Sequence, residues 1–530
     1  MNTPPELLKQ LFPTPSDAPK NFPLTPPRQP GLTYDSAKAL VECLVDNHRK
    51  RHIFFNDKMF HNHASHHLLA IYAMGADREL LKIAYQTHVV YQRPSFESPG
   101  PIDAGNWKAH LADERYYQAY VTFFTDLLVK KGAASVIKEY VLSKDANVVP
   151  GKDKDTAPHM LARYLGGFLH PLIHTGYGAE FGLLGMWAEG LAEAAVQKAA
   201  PPALFPPSLF EFSAATSPSL LSRVASLAVS SASASQAKAT SPHALAILAR
   251  ITTDDSFSPS ALGLPVPDNE DETALARVAR LRGDKLLELF NEWTVEPTQD
   301  DLVKKFEEVV WMNVLVYAVG GYAGRNQGKD EKKEFNGDFF LMHLITSSLF
   351  IPSLSVHLSA EESVLLLRTY FLTCLALYVA RGRPPLPIAE FYKATTAAPE
   401  PPGPRPTPSG NTYKEGAVDA HDLGLNDEAW APATKIITPN PWLPILQTTL
   451  VHPNEHLCKI QRALAHFSAS FGLAAPGSFS FLGGSGGLNG ADVLDGTLFI
   501  RAAGLTANRL GWMREGEDER GWDNNGFFEK

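Results

Sequence analysis

The chain has 530 residues, 44% of them hydrophobic and 20% charged, with a formal net charge of -9. Such a composition can bury a sizeable core, which excludes wholesale disorder, and it carries no cationic surplus, which argues against a protein built to grip nucleic acid. Its three cysteines, Cys43, Cys374 and Cys458, are too few and of the wrong parity for a disulfide framework, so a reducing, cytoplasmic address is expected.

Residues 1–33 form a proline-rich arm without the pattern of a secretory signal, and a loose conformation is expected there. From Tyr34 the apolar residues Ala37, Leu40, Val41, Leu44 and Val45 recur at helical spacing, with Asp35 placed to cap the start. A second helix begins near Asn62 and stops at Gly75. Helical periodicity continues over Asp113 to Ser143 and over Met160 to Val196, where Pro171 is expected to bend the run. Residues 200–262 read as a low-complexity insertion rich in Ser, Ala and Pro. Helical patterning resumes at Asp271 to Trp293 and at Asp300 to Val319, breaks at Gly320 and Gly321, and returns over Phe339 to Leu349 and Glu361 to Val379. A second insertion spans 394–430. Asn454 to Phe471 is amphipathic, Gly483 to Gly490 must be loop, and residues 516–530 read as a tail. Candidate strands such as Thr497 to Arg501 are too short and scattered to build a sheet. The expected fold is all-α: one large helical domain over 34–515 carrying two insertions. No charge-free apolar run of about 18 residues occurs, so no membrane-spanning helix is expected.

Histidine clusters carry the chemistry. His61, His63, His66 and His67 crowd the start of one helix; at spacings of three and four, His63 shares a face with His66 and His67. Imidazole is a good donor to divalent iron, copper or zinc, although surface or capping histidines would look the same in sequence. His170 and His174 stand four apart among apolar neighbours. Burying such polar groups without a partner costs roughly 1–3 kcal/mol, so a metal or a backbone carbonyl must compensate. Gly176 and Gly178 would let backbone approach a ligand. His343 is alone in an apolar helix, and His456, Lys459 and Arg462 share a helix face, where a buried lysine could lose its charge. Phosphate-loop, dinucleotide-binding, zincin and serine-elbow patterns are missing.

The blocks Asn62, His63 and His66 to Ala76; His170 to Phe181; His343 to Leu354; Tyr378 to Pro384; His452 to Leu464; and Leu494 to Glu515 together resemble the questin oxidase family. Its members oxidise anthraquinone-type rings in fungal secondary metabolism without flavin. The resemblance implies a non-haem oxygenase using ferrous iron, with a small aromatic substrate and dioxygen as its partners. The iron-containing members hold the metal by four histidines and a carboxylated lysine. That implies His63, His170, His174 and His343 as imidazole ligands with Lys459 as the lysine; His66, His67 and His456 are left as further candidates, either on the metal or beside it as catalytic, proton-moving imidazoles. Tyr72, Phe168, Tyr177 and Trp187 are expected to line an apolar pocket. Two rival readings are a metal-free, NADPH-dependent Baeyer-Villiger-like oxidase and a helical scaffold without activity.

Overall fold

The apolar spacing becomes helix throughout a computed structural model that describes residues 4–15, 24–149, 157–211, 241–324, 334–404, 438–484 and 487–528. The first half contains α1 (Pro5–Leu11), α2 (Tyr34–Lys50), α3 (Ala64–Ala73), α4 (Arg78–Val89), α5 (Tyr117–Ile137), α6 (Met160–Tyr164), α7 (His170–Phe181) and α8 (Leu184–Val196). The second contains α9 (Ala244–Thr253), α10 (Pro259–Leu262), α11 (Ala274–Glu292), α12 (Gln299–Ala323), α13 (Met342–Ser348) and α14 (Ile351–Ser355), then α15 (Ala360–Ala380), α16 (Ile388–Ala394), α17 (Trp442–Val451), α18 (Glu455–Phe471) and α19 (Leu498–Leu510). Among the described residues there are only isolated β-bridges and no strand, so the fold is all-α.

Several local expectations change. The proline-rich arm is docked where it is described: Leu11 and Phe12 are buried, and the Phe12 ring meets the helix α8 backbone so closely that a Cβ on Gly185 would come within 2.2 Å of it. Thr33, not Asp35, caps α2, through a reciprocal capping box with Ser36. Pro171 does not bend a helix between His170 and His174. It sits in the first turn of α7, where its missing N–H costs nothing. Helix α12 continues through Gly320 and Gly321, which let Pro384 and Phe335 pack against it. Most of Thr497 to Arg501 belongs to α19, because the preceding loop ends there and a helical apolar face begins.

Of the segment 200–262, residues 212–240 lie outside the described residues; Ala244–Thr253 is a buried helix with Leu245, Ile247, Leu248 and Ile251 in the core. Its short length and the serine-rich run before it hid that pattern. Residues 405–430 of the second segment also lie outside the described residues. The C-terminal segment, where described, is pinned: Asp523 N–H donates to Gly337 O at 2.8 Å, and Trp522 Nε1 donates to Asn454 Oδ1 at 3.0 Å. Helix α15 is long and apolar enough to cross a membrane, yet 83% of its most apolar window is buried inside the protein, where it packs on α11 and α12.

The centre of the molecule is the hairpin of α7 and α8, which reverses at Gly182 with φ +68°. Close packing there is set by glycine: a Cβ on Gly190 would meet Thr175 at 2.6 Å, and one on Gly176 would meet Phe350 at 2.3 Å. Gly176 and Gly178 therefore admit neighbouring protein, not a ligand. Helix α3 lies against α7 and α18, and α13 touches both α7 and α18. Four histidine-bearing segments thus meet on one axis.

Candidate metal centre and active site

Each of those segments is locally prepared to aim an imidazole inward. Asn62 Oδ1 accepts the Ala64 backbone N–H at 3.0 Å and so caps α3, which leaves the side chain of His63, the residue at the cap position, free for other work. Ahead of α7, Gly167, Phe168 and Leu169 hold φ values of +52°, +53° and +70°. Left-handed backbone at a non-glycine residue costs about 1–2 kcal/mol, so this turn is strain retained for a purpose. It carries the Gly167 carbonyl to His170 Nδ1 at 2.5 Å. A Cβ on Gly167 would lie 2.6 Å from Gln197 Oε1 and push that side chain aside, and the positive φ favours glycine there as well. On α18, Asn454 Oδ1 accepts the His456 backbone N–H, which fixes the first turn and with it Glu455, His456 and Lys459.

The four imidazoles share one hydrogen-bonding scheme. His170 Nδ1 donates to Gly167 O, and His343 Nδ1 donates to Phe339 O at 2.8 Å. His63 Nδ1 and His456 Nδ1 both face Glu455 Oε1, at 3.3 and 3.2 Å. Each Nε2 then carries a lone pair and points away from these acceptors. His63 Nε2 and His170 Nε2 lie 2.8 Å apart. His343 Nε2 and His456 Nε2 are buried without a partner, as is Lys459 Nζ. The rings are close: His63 to His456 4.4 Å, His170 to His343 4.9 Å and His343 to His456 5.3 Å between centroids. Ligand atoms of His63, His170 and His456 fall within 4.8 Å of one another.

This donor set fits a metal ion. Two lone pairs facing each other at 2.8 Å repel unless a proton or cation stands between them. Tying the far nitrogen to a carboxylate or carbonyl is what metal-bound histidines do, because it fixes both tautomer and ring orientation. Electrostatics agree. Burial, then the charge of Lys459, pushes His63 well below the ordinary histidine range and His456 down to about 4, so these rings are neutral donors at neutral pH. Burial holds His170 and His343 well below their usual range as well. Burial lowers Lys459 to about 8, against the opposing pull of Glu455. Burial opposes ionisation of Glu455 too, but His456 and His63 keep its carboxyl well below the usual value.

Not every expected ligand joins this group. His174 does not: its Nε2 faces Glu189 Oε2 at 2.8 Å and its Nδ1 faces His66 Nε2 at 3.0 Å, leaving no lone pair for a metal. His456, which the sequence left open between ligand and proton-moving neighbour, stands with His63 and His170. His66 stays nearby, its ring stacked 5.2 Å from Tyr177. His67 turns aside to His88 Nε2 at 2.9 Å, and His88 Nδ1 meets the Tyr91 hydroxyl at 2.6 Å. Of the expected aromatic lining, Phe168 packs on Phe340 and within 6.3 Å of His343, and Tyr177 borders His66. Tyr72 packs instead on Phe181, and Trp187 on His357.

Sequence reasoning missed Glu455, Glu189, Glu193, His48 and the role of His61. Glu189 takes His48 Nδ1 at 2.6 Å and His174 Nε2 at 2.8 Å. Burial works against its ionisation, yet hydrogen bonds from His174 and His48 hold its carboxyl at about 2. Glu193 is the reverse case: burial and the Glu189 charge push it well above the carboxylate range. His61 stacks on His170 at 3.9 Å and reaches Gln197 Oε1 at 3.0 Å. The signal was present in α8: Glu189 and Glu193, four apart, are the acidic residues in an otherwise apolar run.

The core of this helical protein converges buried imidazoles and an unpaired lysine on one point, an arrangement made for chemistry and not for packing alone. A questin oxidase-like family model matches residues 60–464, and the chain belongs to that family. It is 27% identical to the oxidoreductase AflY of Aspergillus parasiticus over 384 residues, 69% of each chain. A Baeyer-Villiger oxidase of Pestalotiopsis microspora is 30% identical over 366 residues, 67% of this chain and 73% of the relative. A questin oxidase of Aspergillus fumigatus is 30% identical over 165 residues, 30% of this chain and 35% of the relative. The protein is an oxidoreductase of this family.

Proposed function

We propose that the protein is a non-haem, iron-dependent oxygenase that oxidises or opens an anthraquinone-type aromatic polyketide ring in secondary metabolism. The observation that carries this reading is the shared scheme at His63, His170, His343 and His456: every Nδ1 faces an oxygen, the Nε2 atoms of His63 and His170 face each other at 2.8 Å, and those of His343 and His456 are unpartnered, beside the unpaired Lys459. The four imidazoles would hold the ion. Lys459, carboxylated as in iron-containing relatives, would add an anionic oxygen; its amine, lowered to about 8, is neutral often enough to react with carbon dioxide. Bound ferrous iron supplies one-electron chemistry with dioxygen that side chains lack.

The remaining work falls to the protein. Phe168 and Phe339 stand beside His343, with Phe340 packed against both, an aromatic wall suited to a planar ring and to excluding water. Glu455 keeps His63 and His456 oriented. Names of relatives that include questin oxidase and Baeyer-Villiger oxidase support both the oxidative class and the aromatic substrate. The test is elemental analysis of anaerobically purified protein, followed by chelation and reconstitution in an assay with a hydroxyanthraquinone. Stoichiometric iron and an activity restored by iron are expected. A metal-free protein with full activity would overturn the reading in favour of a metal-free oxidase.

A further inference from the structure

Beside the proposed centre runs a second chain of buried groups that contributes no ligand to it. Glu189 lies between His48 Nδ1 and His174 Nε2, at 2.6 and 2.8 Å. As a carboxylate it can only accept, so His174 carries its proton on Nε2. With that proton placed on Nε2, His174 Nδ1 is left to accept, and the hydrogen in the 3.0 Å contact comes from His66 Nε2. By the same count, His66 Nδ1 has no proton. That nitrogen is buried and has no partner in the protein. Around it stand the rings of His63, His170 and Tyr177, with centroids 5.9, 6.3 and 5.2 Å from that of His66. Glu193 Oε2 is 3.6 Å from His174 Nδ1, too far to supply a competing hydrogen bond.

We propose that Glu189 and His174 are positioning residues that hold His66 in its Nε2–H tautomer, so that Nδ1 offers a lone pair to a phenolic hydroxyl of the aromatic substrate. Glu189 touches no substrate in this scheme. It acts through two imidazoles, and His48 on α2 anchors its other oxygen. The substrate class rests on the proposed function above, whereas the tautomer does not.

Neutron diffraction from the perdeuterated full-length protein tests the tautomer, because it locates the deuterons on His66 and His174. A deuteron on His66 Nε2 and none on Nδ1 is expected; a deuteron on His66 Nδ1 overturns the proposal, as a doubly protonated His174 would. Binding tests the acceptor. In absorbance titrations with a hydroxyanthraquinone and its O-methyl ether, Glu189→Gln should weaken the hydroxylated ligand about tenfold and the ether less than about twofold, with Glu189→Asp near wild type. Equal weakening of both ligands would sink the acceptor role. Should Glu189→Gln fail to fold, the wild-type deuterons decide alone. Iron content of the same samples separates the two readings: no iron with the tautomer and hydroxyl preference intact refutes only the oxygenase, and iron with a deuteron on His66 Nδ1 refutes only this proposal.

Discussion

Two groups of histidines, equally buried and contributed partly by the same helices, end in opposite states. In the first, His63, His170, His343 and His456 each turn Nδ1 to an oxygen and Nε2 to the centre, where those of His63 and His170 meet at 2.8 Å and those of His343 and His456 are unpartnered; in the second, His174 spends both nitrogens on His66 and Glu189. Residue type and burial are the same. What separates His170 from His174 is hydrogen-bond saturation, since a ligand needs a lone pair that nothing else has claimed. His170 and His174 make the point within one helix: four residues apart on α7, one opens toward the centre and the other is locked to α8.

Substituting a centre histidine should have the largest effect. His170→Ala is expected to abolish iron retention and lower kcat/KM by more than the roughly 100-fold typical of losses in groups that only support ligands. Metal analysis of the folded variant reads this directly; unchanged iron content would break the comparison at its strongest point. Glu455→Gln should fall next, with about 10- to 100-fold weaker iron binding, because one oxygen orients both His63 and His456. A competitive chelator titration gives that value, and an effect under twofold would mean the carboxylate is only a neighbour.

Histidines outside both groups supply a control for burial alone. Burial, then the Arg93 charge, pushes His52 down to about 4; burial pushes His466 to about 4 against the hydrogen bond it shares with Leu24 O. An unfolded histidine titrates near 6.5, so between roughly pH 6.5 and 4 the unfolded chain binds protons that the folded chain refuses. Stability should therefore decline as pH falls through that window, in metal-free protein as well. Urea denaturation of His52→Gln against wild type would show a shallower decline in the variant; identical pH slopes would mean that His52 does not contribute.

Much of this architecture was legible in the sequence. Periodicity located α2, α11, α15 and α18 because each presents a sustained apolar face, and the isolated polar residues His170 and His343 stood out against their surroundings. Partnership was not legible. Whether His174 or His456 completes the imidazole set depends on which element crosses α7, a long-range fact that spacing within one helix does not contain. Glu189 failed to register because two acidic residues four apart in an apolar helix, Glu189 and Glu193, resemble a solvent-facing stripe until α2 and α7 are seen to cover it. Helix α9 was lost for another reason: ten residues behind a serine-rich run give too little periodicity to outweigh their context.

The smallest expected effect tests the edge of the comparison. His67 follows His66 directly and was an equal candidate from sequence, but helical geometry rotates it about 100° onward, toward α4, where His88 takes its Nδ1. His67→Gln keeps a side chain able to bond His88, so iron content should be unchanged and kcat/KM should stay within about threefold, with a stability cost of about 1 kcal/mol from the altered hydrogen bond. If His67→Gln instead lost iron as His170→Ala should, saturation by a partner would not be what separates ligands from their neighbours, and His67 would have to exchange His88 for the centre when iron binds.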